Sequence, residues 1–310
     1  MESTGDSATT RMAEAALKAG YALGTEMDGF NKRMGESQFL EGENGVWVRY
    51  RHNRVGLENS FETSNNMFQV GYDNERTIKD GEHHSGVTLD YTDANTTMKE
   101  VRGEGENKRY AVGYYDSWVD ENGNYRDIVV RVGKTDSEFS AKGVGNDITS
   151  DYDQMFGSIS GEWGSKKAMG NQWFVEPQAQ VQLARVGSAD YRTNYGVEVD
   201  ESGATSLIGR LGFRIGRDFL SNEDTTKRNS FYLKADLMHE FCGDRNYTIY
   251  GEDASHNREF DGKETWFNVG VGGNFAISRA TYFWLDAERT FGGDYEKTWQ
   301  ISGGFRWEWK

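Results

Sequence analysis

Between residues 265 and 309 the chain runs through three successive segments in which apolar and polar residues alternate, and the third continues unbroken to Trp309. In that last segment Trp299, Ile301, Gly303, Phe305, Trp307 and Trp309 take one set of alternate positions. Gln300, Ser302, Gly304, Arg306 and Glu308 take the other. Successive side chains on a strand point to opposite faces, so one face here is aromatic and apolar and the other is wet. An exposed, flat, apolar edge strand invites aggregation, and closing the sheet into a barrel removes the edge altogether.

From Gly45 onward the same alternation marks twelve candidate strands: residues 46–52, 67–73, 85–92, 109–118, 125–134, 152–164, 173–185, 206–217, 230–241, 265–277, 281–290 and 298–309. An even number suits antiparallel closure of a single-chain barrel, because first and last strands then meet. Asp120 to Asn124, Ser278-Arg279 and Gly292 to Asp294 carry the turn chemistry of tight hairpins. The longer polar stretches 53–66, 188–203 and 242–264 read as loops on the opposite rim. Ahead of the strands, after a frayed start over residues 1–6, Met12, Ala15, Ala16 and Ala19 recur at helical spacing behind a Ser7 or Thr9 cap, with Gly20 and Gly24 weakening the helix. A second short helical turn is expected over 27–34, ending near Gly35. Neither is long enough to bury a core, so both must pack on or inside something larger.

Alternation by itself leaves the solvent open. On residues 230–241 Phe231, Leu233, Ala235 and Leu237 oppose Tyr232, Lys234, Asp236, Met238 and Glu240, and a soluble acidic β-sandwich that binds ligands could bury that apolar face as well as a bilayer could. Three features favour the membrane. The strands are longer than the about 5–6 residues usual in globular sheets. Trp163, Trp173, Tyr191, Tyr232, Trp266, Tyr282 and Trp307 fall near strand ends, where interfacial girdles need them. Glycine is frequent on the polar face and leaves room inside.

Composition narrows the function classes. With 38 Gly, 1 Pro, 9 Trp, 16 Tyr and 17 Phe and a mean hydropathy of -0.80, the chain is polar yet too aromatic for disorder. No run of eighteen apolar residues occurs, which excludes a helical span and nothing else. A net charge of -15, from 50 acidic against 35 basic residues, argues against nucleic acid as partner. The lone Cys242 allows no internal disulfide. The Met1 end shows no charged segment followed by an apolar one, so no secretory signal is visible.

Several short motifs, in order and at their spacing, resemble the β-domain of autotransporters, the type V secretion proteins of the Gram-negative outer membrane. They are Asn31-Lys32-Arg33-Met34-Gly35, Gly45-Val46-Trp47-Val48-Arg49, Gln69-Val70-Gly71-Tyr72-Asp73 and Trp173-Phe174-Val175-Glu176-Pro177-Gln178, then Gly209-Arg210-Leu211-Gly212-Phe213-Arg214 and Lys234-Ala235-Asp236-Leu237-Met238-His239-Glu240-Phe241. The resemblance implies an all-β fold: a twelve-stranded antiparallel transmembrane β-barrel over residues 41–310 with an N-terminal α-helix, carried by residues 1–40, inside the pore. It implies a translocator domain that anchors and exports an N-terminal passenger, absent from this chain, in a longer protein. It also implies that Phe305, Trp307 and Trp309 are read by the barrel-assembly machinery, although Lys310 departs from the usual aromatic last residue. Outer-membrane lipid and lipopolysaccharide are the remaining expected partners, and the chain is expected to be a monomer.

A pore lined by Arg49, Arg51, Glu176, Arg210, Arg214, Asp236, Glu240, Asp286 and Glu288 carries both signs of charge. It can pair internally and with Arg11, Glu14 and Lys18 of the helix. The competing function is an open porin-like diffusion channel. No enzyme is expected: the asparagine pair that self-cleaving autotransporters use has no match in residues 7–24, and no Ser, His and acid arrangement stands out. His83-His84, beside Asp80 and Glu82, reads as a solvated loop, since neighbours on a strand point apart and no second His cluster has ligand spacing. Gly-rich runs such as Val269 to Gly273 lack the strand-then-helix context of a dinucleotide site. No metal or cofactor is expected.

Overall fold

A computed structural model describes residues 7–36, 42–57, 59–220 and 228–310. The expected frayed start and the domain boundary at residues 40 and 41 lie outside the described residues. Two helices, α1 (Ala8–Gly24) and α2 (Phe30–Met34), precede seventeen strands. These are β1 (Asn44–Leu57), β2 (Phe61–Ile78), β3 (Gly81–Met98), β4 (Gly103–Asp120), β5 (Asn124–Ala141), β6 (Ile148–Ser165), β7 (Lys167–Gly170), β8 (Trp173–Val186) and β9 (Ala189–Arg192). They continue with β10 (Glu198–Glu201), β11 (Ala204–Leu220), β12 (Arg228–Glu240), β13 (Arg245–Tyr250), β14 (Ser255–Phe260), β15 (Glu264–Ala276), β16 (Thr281–Phe291) and β17 (Tyr295–Trp309).

Twelve of the strands close a barrel in the order β1-β2-β3-β4-β5-β6-β8-β11-β12-β15-β16-β17, each antiparallel to its neighbour. The seam joins β1 to β17, with Val46 opposite Trp307 and Val48 opposite Phe305, and one register shift at Arg54/Val55. All twelve expected strands are present, and most extend further. The stretch 53–66 is not a loop: β1 and β2 run on to a short turn between Leu57 and Phe61. Residues 188–203 and 242–264 are not irregular either. Each folds into a hairpin, and together β14-β13-β10-β9 form a separate four-stranded sheet over one mouth. The Gly292 to Asp294 turn lies at that same mouth, not opposite it, because it joins β16 to β17.

Which solvent the outer surface meets follows from side-chain placement. Leu89, Leu211 and Ile301 point outward and are 58, 64 and 53 % exposed, while Arg109, Arg214 and Arg306 point inward and are among the most deeply buried side chains. This is the reverse of a water-soluble core, and it is the arrangement lipid demands of a closed barrel. Of the seven expected girdle aromatics, Trp163, Trp173 and Trp307 are outward and exposed, whereas Tyr232 and Tyr282 are buried in the lumen and Tyr191 is buried on the face of the small sheet that packs on α1. Trp266 faces inward too, lining an internal cavity. Position near a strand end does not set the face; parity does. No described helix is long and apolar enough to cross a membrane.

Candidate functional site: the plugged lumen

Ser7 caps α1, its Oγ accepting the Thr10 backbone N–H at 3.2 Å, and the 17-residue helix runs into the barrel. Ala13, Ala15, Ala16 and Ala19 are all buried and keep the helix thin. Alanine also has the best helix propensity, so the sequence can be slim and helical at once. Gly20 does not end it, and Gly24 is its last residue. They let it lie against the wall: a Cβ on Gly24 would sit 2.7 Å from Val186 Cγ2.

Two apolar clusters fix the direction of the helix. Met12, Ala16 and Leu17 pack with Phe61, Phe139 and Tyr152 of the wall and with Tyr191, Val199, Tyr247 and Ile249 of the four-stranded sheet. At the other end Phe30 and Met34 of α2 pack with Trp47, Tyr115, Tyr125, Tyr282 and Trp284. Short turns mark the periplasmic rim of such barrels and long connections the cell surface. The start of α1 therefore faces outward and α2 sits at the periplasmic end.

Between the clusters the segment from Thr25 to Glu36 is held by the wall. Asp28 receives Arg49 Nη2 and both of its oxygens accept Arg51 Nη1 at 2.8 Å. Glu26 Oε2 takes Arg51 Nη2 at 2.7 Å and Arg109 Nη1 at 3.0 Å. Lys32 pairs with Glu288, Arg33 with Asp127, and Glu36 with Arg214 and Lys166. Backbone groups freed where the helix ends are met as well. Arg109 Nη1 donates to Leu23 O at 2.7 Å, Gln182 to Thr25 O at 2.9 Å and Gln180 to Asp28 O at 2.9 Å. Glu162 accepts the Phe30 N–H at the start of α2. Carbonyls and amides that helix termini leave unpaired are thus satisfied by a wall built to match them.

The structure places Arg49, Arg51, Glu176, Arg210, Arg214, Asp236, Glu240, Asp286 and Glu288 inward and buried. Arg49, Arg51, Arg214 and Glu288 reach the segment as above, and Glu240 accepts the Tyr21 hydroxyl of α1. The others act within the wall: Glu176 braces Arg214 at 2.7 Å and Asp236 pairs with Arg210 at 2.8 Å. Neither oxygen of Asp286 has a hydrogen-bond partner among the described residues.

Arg11, Glu14 and Lys18 do not meet this network. Glu14 pairs with Lys18 and with Arg258 of β14, and Arg11 donates to Glu100 O. They lie at the outer mouth, level with aromatic wall and sheet, whereas the wall's charges lie deeper. The groups that do the pairing are Glu26, Asp28, Lys32, Arg33 and Glu36; of these only Lys32 and Arg33 stand out in the sequence, as part of a motif and not as partners of the wall. Their signal is two acids, two bases and a third acid, opposite in sign to Arg49 and Arg51, to Asp286 and Glu288, and to Arg214. A cavity of about 170 Å³ remains beside them, lined by Tyr21, Glu26, Lys32, Lys234, Glu288 and Lys297 among others.

Outside the membrane belt, the four-stranded sheet buries one acid. Glu201 is 1 % exposed and neither oxygen finds a hydrogen-bond partner among the described residues. Burial pushes its carboxyl up from 4.5 to about 8.

Known proteins resemble this chain in sequence and fold. The pertactin autotransporter of Bordetella parapertussis is 27 % identical over 289 residues, covering 92 % of this chain and 31 % of the relative. The BrkA autotransporter of Bordetella pertussis is 27 % identical over 290 residues, covering 91 % of this chain and 28 % of the relative. The chain thus spans about a third of the length of these relatives. The crystal structure of the β domain of Bordetella BrkA superposes with a TM-score of 0.75 at 25 % identity, over 87 % of this chain and all of that one. The translocator domain of NalP from Neisseria meningitidis shares the fold with a TM-score of 0.67 at 13 % identity, over 99 % of this chain and all of that one. The autotransporter β-domain family model matches residues 44–288. With the closed barrel, the apolar exterior and the occupied lumen, that match shows that this chain belongs to the autotransporter β-domain family.

Proposed function

We propose that the chain is the translocator of a longer outer-membrane protein, exporting an N-terminal passenger to the cell surface and then anchoring it. The barrel resides in the outer membrane of a Gram-negative bacterium. One observation carries the reading: α1 begins under the surface sheet and the chain descends from it to α2 at the periplasmic end, so polypeptide joined ahead of Ser7 leaves at the surface mouth. A porin-like channel is disfavoured by the helix together with the Thr25 to Glu36 segment that follows it, which occupy the lumen and are bonded to its wall at several levels.

Supporting roles follow from placement. Residues 1–40 act as the plug and its connection, and 41–310 as the barrel. Arg49, Arg51, Arg214, Glu240 and Glu288 seat the plug, while Glu176, Arg210, Asp236 and Asp286 set the lumen's charge. Phe305, Trp307 and Trp309 share the outward face of the closing strand, and there they serve as the signal to the barrel-assembly machinery. Lipid and lipopolysaccharide cover the apolar belt of a monomer, and the domain carries no catalytic activity of its own. The test is an epitope fused ahead of Met1 behind a secretory signal. Epitope accessible to external protease on intact cells is expected; a folded barrel with the epitope held in the periplasm overturns the reading.

A further inference from the structure

We propose that His84, Glu82 and Glu75 form a divalent-cation site at the periplasmic rim of the lumen, and that Zn²⁺ is the class of ion it takes. The β2–β3 hairpin builds it: Glu75 stands opposite His84 in register, and Glu82, two residues before His84, shares its face. Each residue offers a ligand atom, and the three atoms lie within 4.8 Å of one another. Ligands on one Zn²⁺ at about 2.0–2.2 Å need somewhat closer spacing. The acid side chains are free to close that gap, because Glu75 is half-buried at the hairpin end and Glu82 keeps 39 % of its side chain exposed.

The second observation is His84 itself. It is 0 % exposed, and neither Nδ1 nor Nε2 makes a hydrogen bond. A buried imidazole held only by two long carboxylate contacts, with no hydrogen bond at either nitrogen, needs a reason. Its Nε2 looks toward Glu82 Oε2 at 3.7 Å and its Nδ1 toward Asp73 Oδ1 at 3.5 Å. Asp73 is in turn fixed by Arg306, at 2.7 and 2.6 Å, and by the Tyr115 hydroxyl. A carboxylate behind the distal nitrogen of a histidine is the outer shell that metal-ligating histidines use to set tautomer and ring direction. Asp73 is therefore a positioning residue, and Nε2, Glu82 and Glu75 are the ligands.

Donor chemistry selects the ion. One imidazole and two carboxylates suit Zn²⁺ better than the oxygen-preferring Mg²⁺ or Ca²⁺, and three protein ligands leave a position for water. Glu308 and Glu43 add to the negative field at Glu75. His83 takes no part: it points outward and pairs with Asp116. The ion would tie the hairpin to the barrel seam, because Arg306 belongs to β17 and crosses β1 above Gly45. A Cβ at Gly45 would lie 2.2 Å from Arg306 Nη2.

The experiment is calorimetric titration of ZnCl₂ into the full chain folded in detergent micelles, with excess Mg²⁺ to occupy scattered surface acids. One Zn²⁺ per chain with micromolar affinity is expected. His84→Ala should abolish it, Glu82→Gln should weaken it about tenfold or more, and His83→Ala should leave it unchanged. If His84→Ala does not fold, judged by loss of the heat-dependent gel shift, Glu82→Gln decides, since Glu82 lies at the exposed hairpin end. Absence of a saturable site, or an isotherm unaffected by His84→Ala or Glu82→Gln, overturns the proposal. In that case His84 is a charged bridge between Asp73 and Glu82.

Discussion

Replacing Asp28 with Asn removes the carboxylate that receives two arginines, and the consequence falls mainly on one of them. Arg51 keeps Glu26 as a partner. Arg49, whose side chain is 0 % exposed, has no other ion pair among the described residues. Stranding a buried charge costs about 3–5 kcal/mol. Asp28 keeps 23 % of its side chain exposed, so the lower end, about 3 kcal/mol, applies. At about 1.4 kcal/mol per tenfold, the population with the Thr25 to Glu36 segment released rises about 100-fold. Trypsin reads that population, because Lys32 and Arg33 are buried when the segment is docked and cleavage tracks the open fraction when reclosing is fast. The rate of cutting at these two residues in micelles should rise about 100-fold and fall back in Asp28→Asn/Arg49→Gln, where no charge is stranded. Cutting at the wild-type rate in a barrel that still shows its heat-dependent gel shift refutes the reasoning. So does a double variant no slower than the single.

Three further outcomes are expected. Leu89→Arg, in the apolar belt, should cost about 2–4 kcal/mol in vesicle unfolding titrations; a change within about 0.5 kcal/mol, usual for a water-exposed site, would mean that lipid does not meet this face. Gly24→Val forces β-carbon into Val186 and should lower stability by about 1–3 kcal/mol, read as a lower temperature for the gel-mobility transition. Glu201 holds its proton in the folded sheet up to about pH 8 while an unfolded glutamate loses it near 4.5, so the sheet's stability should fall as pH rises through that window and level off above it. Amide exchange at Tyr191 and Val199 should therefore speed up, relative to its intrinsic rate, from pH 5 to pH 9, and Glu201→Gln should remove the trend; an unchanged trend in the variant contradicts the assignment.

Strand number and inward or outward sense were legible because a period of two records them in every strand: Arg210 and Arg214 share parity with Gly212, while Leu211, Phe213 and Ile215 share the other. The same parity turns Trp266, Tyr232 and Tyr282 inward, although they lie near strand ends as girdle residues do. What could not be read was reach along the barrel axis, and depth misled at the plug. Arg11, Glu14 and Lys18 are helical and charged, so they were natural partners for the wall, but the helix carries them past the charged layer to the outer mouth. Their place is taken by residues just beyond the helix, whose path depends on the pore and not on local periodicity. The hairpins within 188–203 and 242–264 escaped because neither forms a stable sheet alone; β10 against β13, with α1 beneath, supplies the missing surface. His84 reads as part of a solvated loop because His83 and His84 point apart and no second His cluster has ligand spacing; it lies instead buried on β3, and register brings Glu75 across from it.

Planar-bilayer conductance of the full chain beside a form lacking residues 7–36, both checked for the heat-dependent gel shift, addresses the central claim that this helix and segment close a lipid-embedded pore. The account predicts a nearly silent full chain and steady ion conduction once the segment is gone. Equal, sustained conduction by both would contradict it.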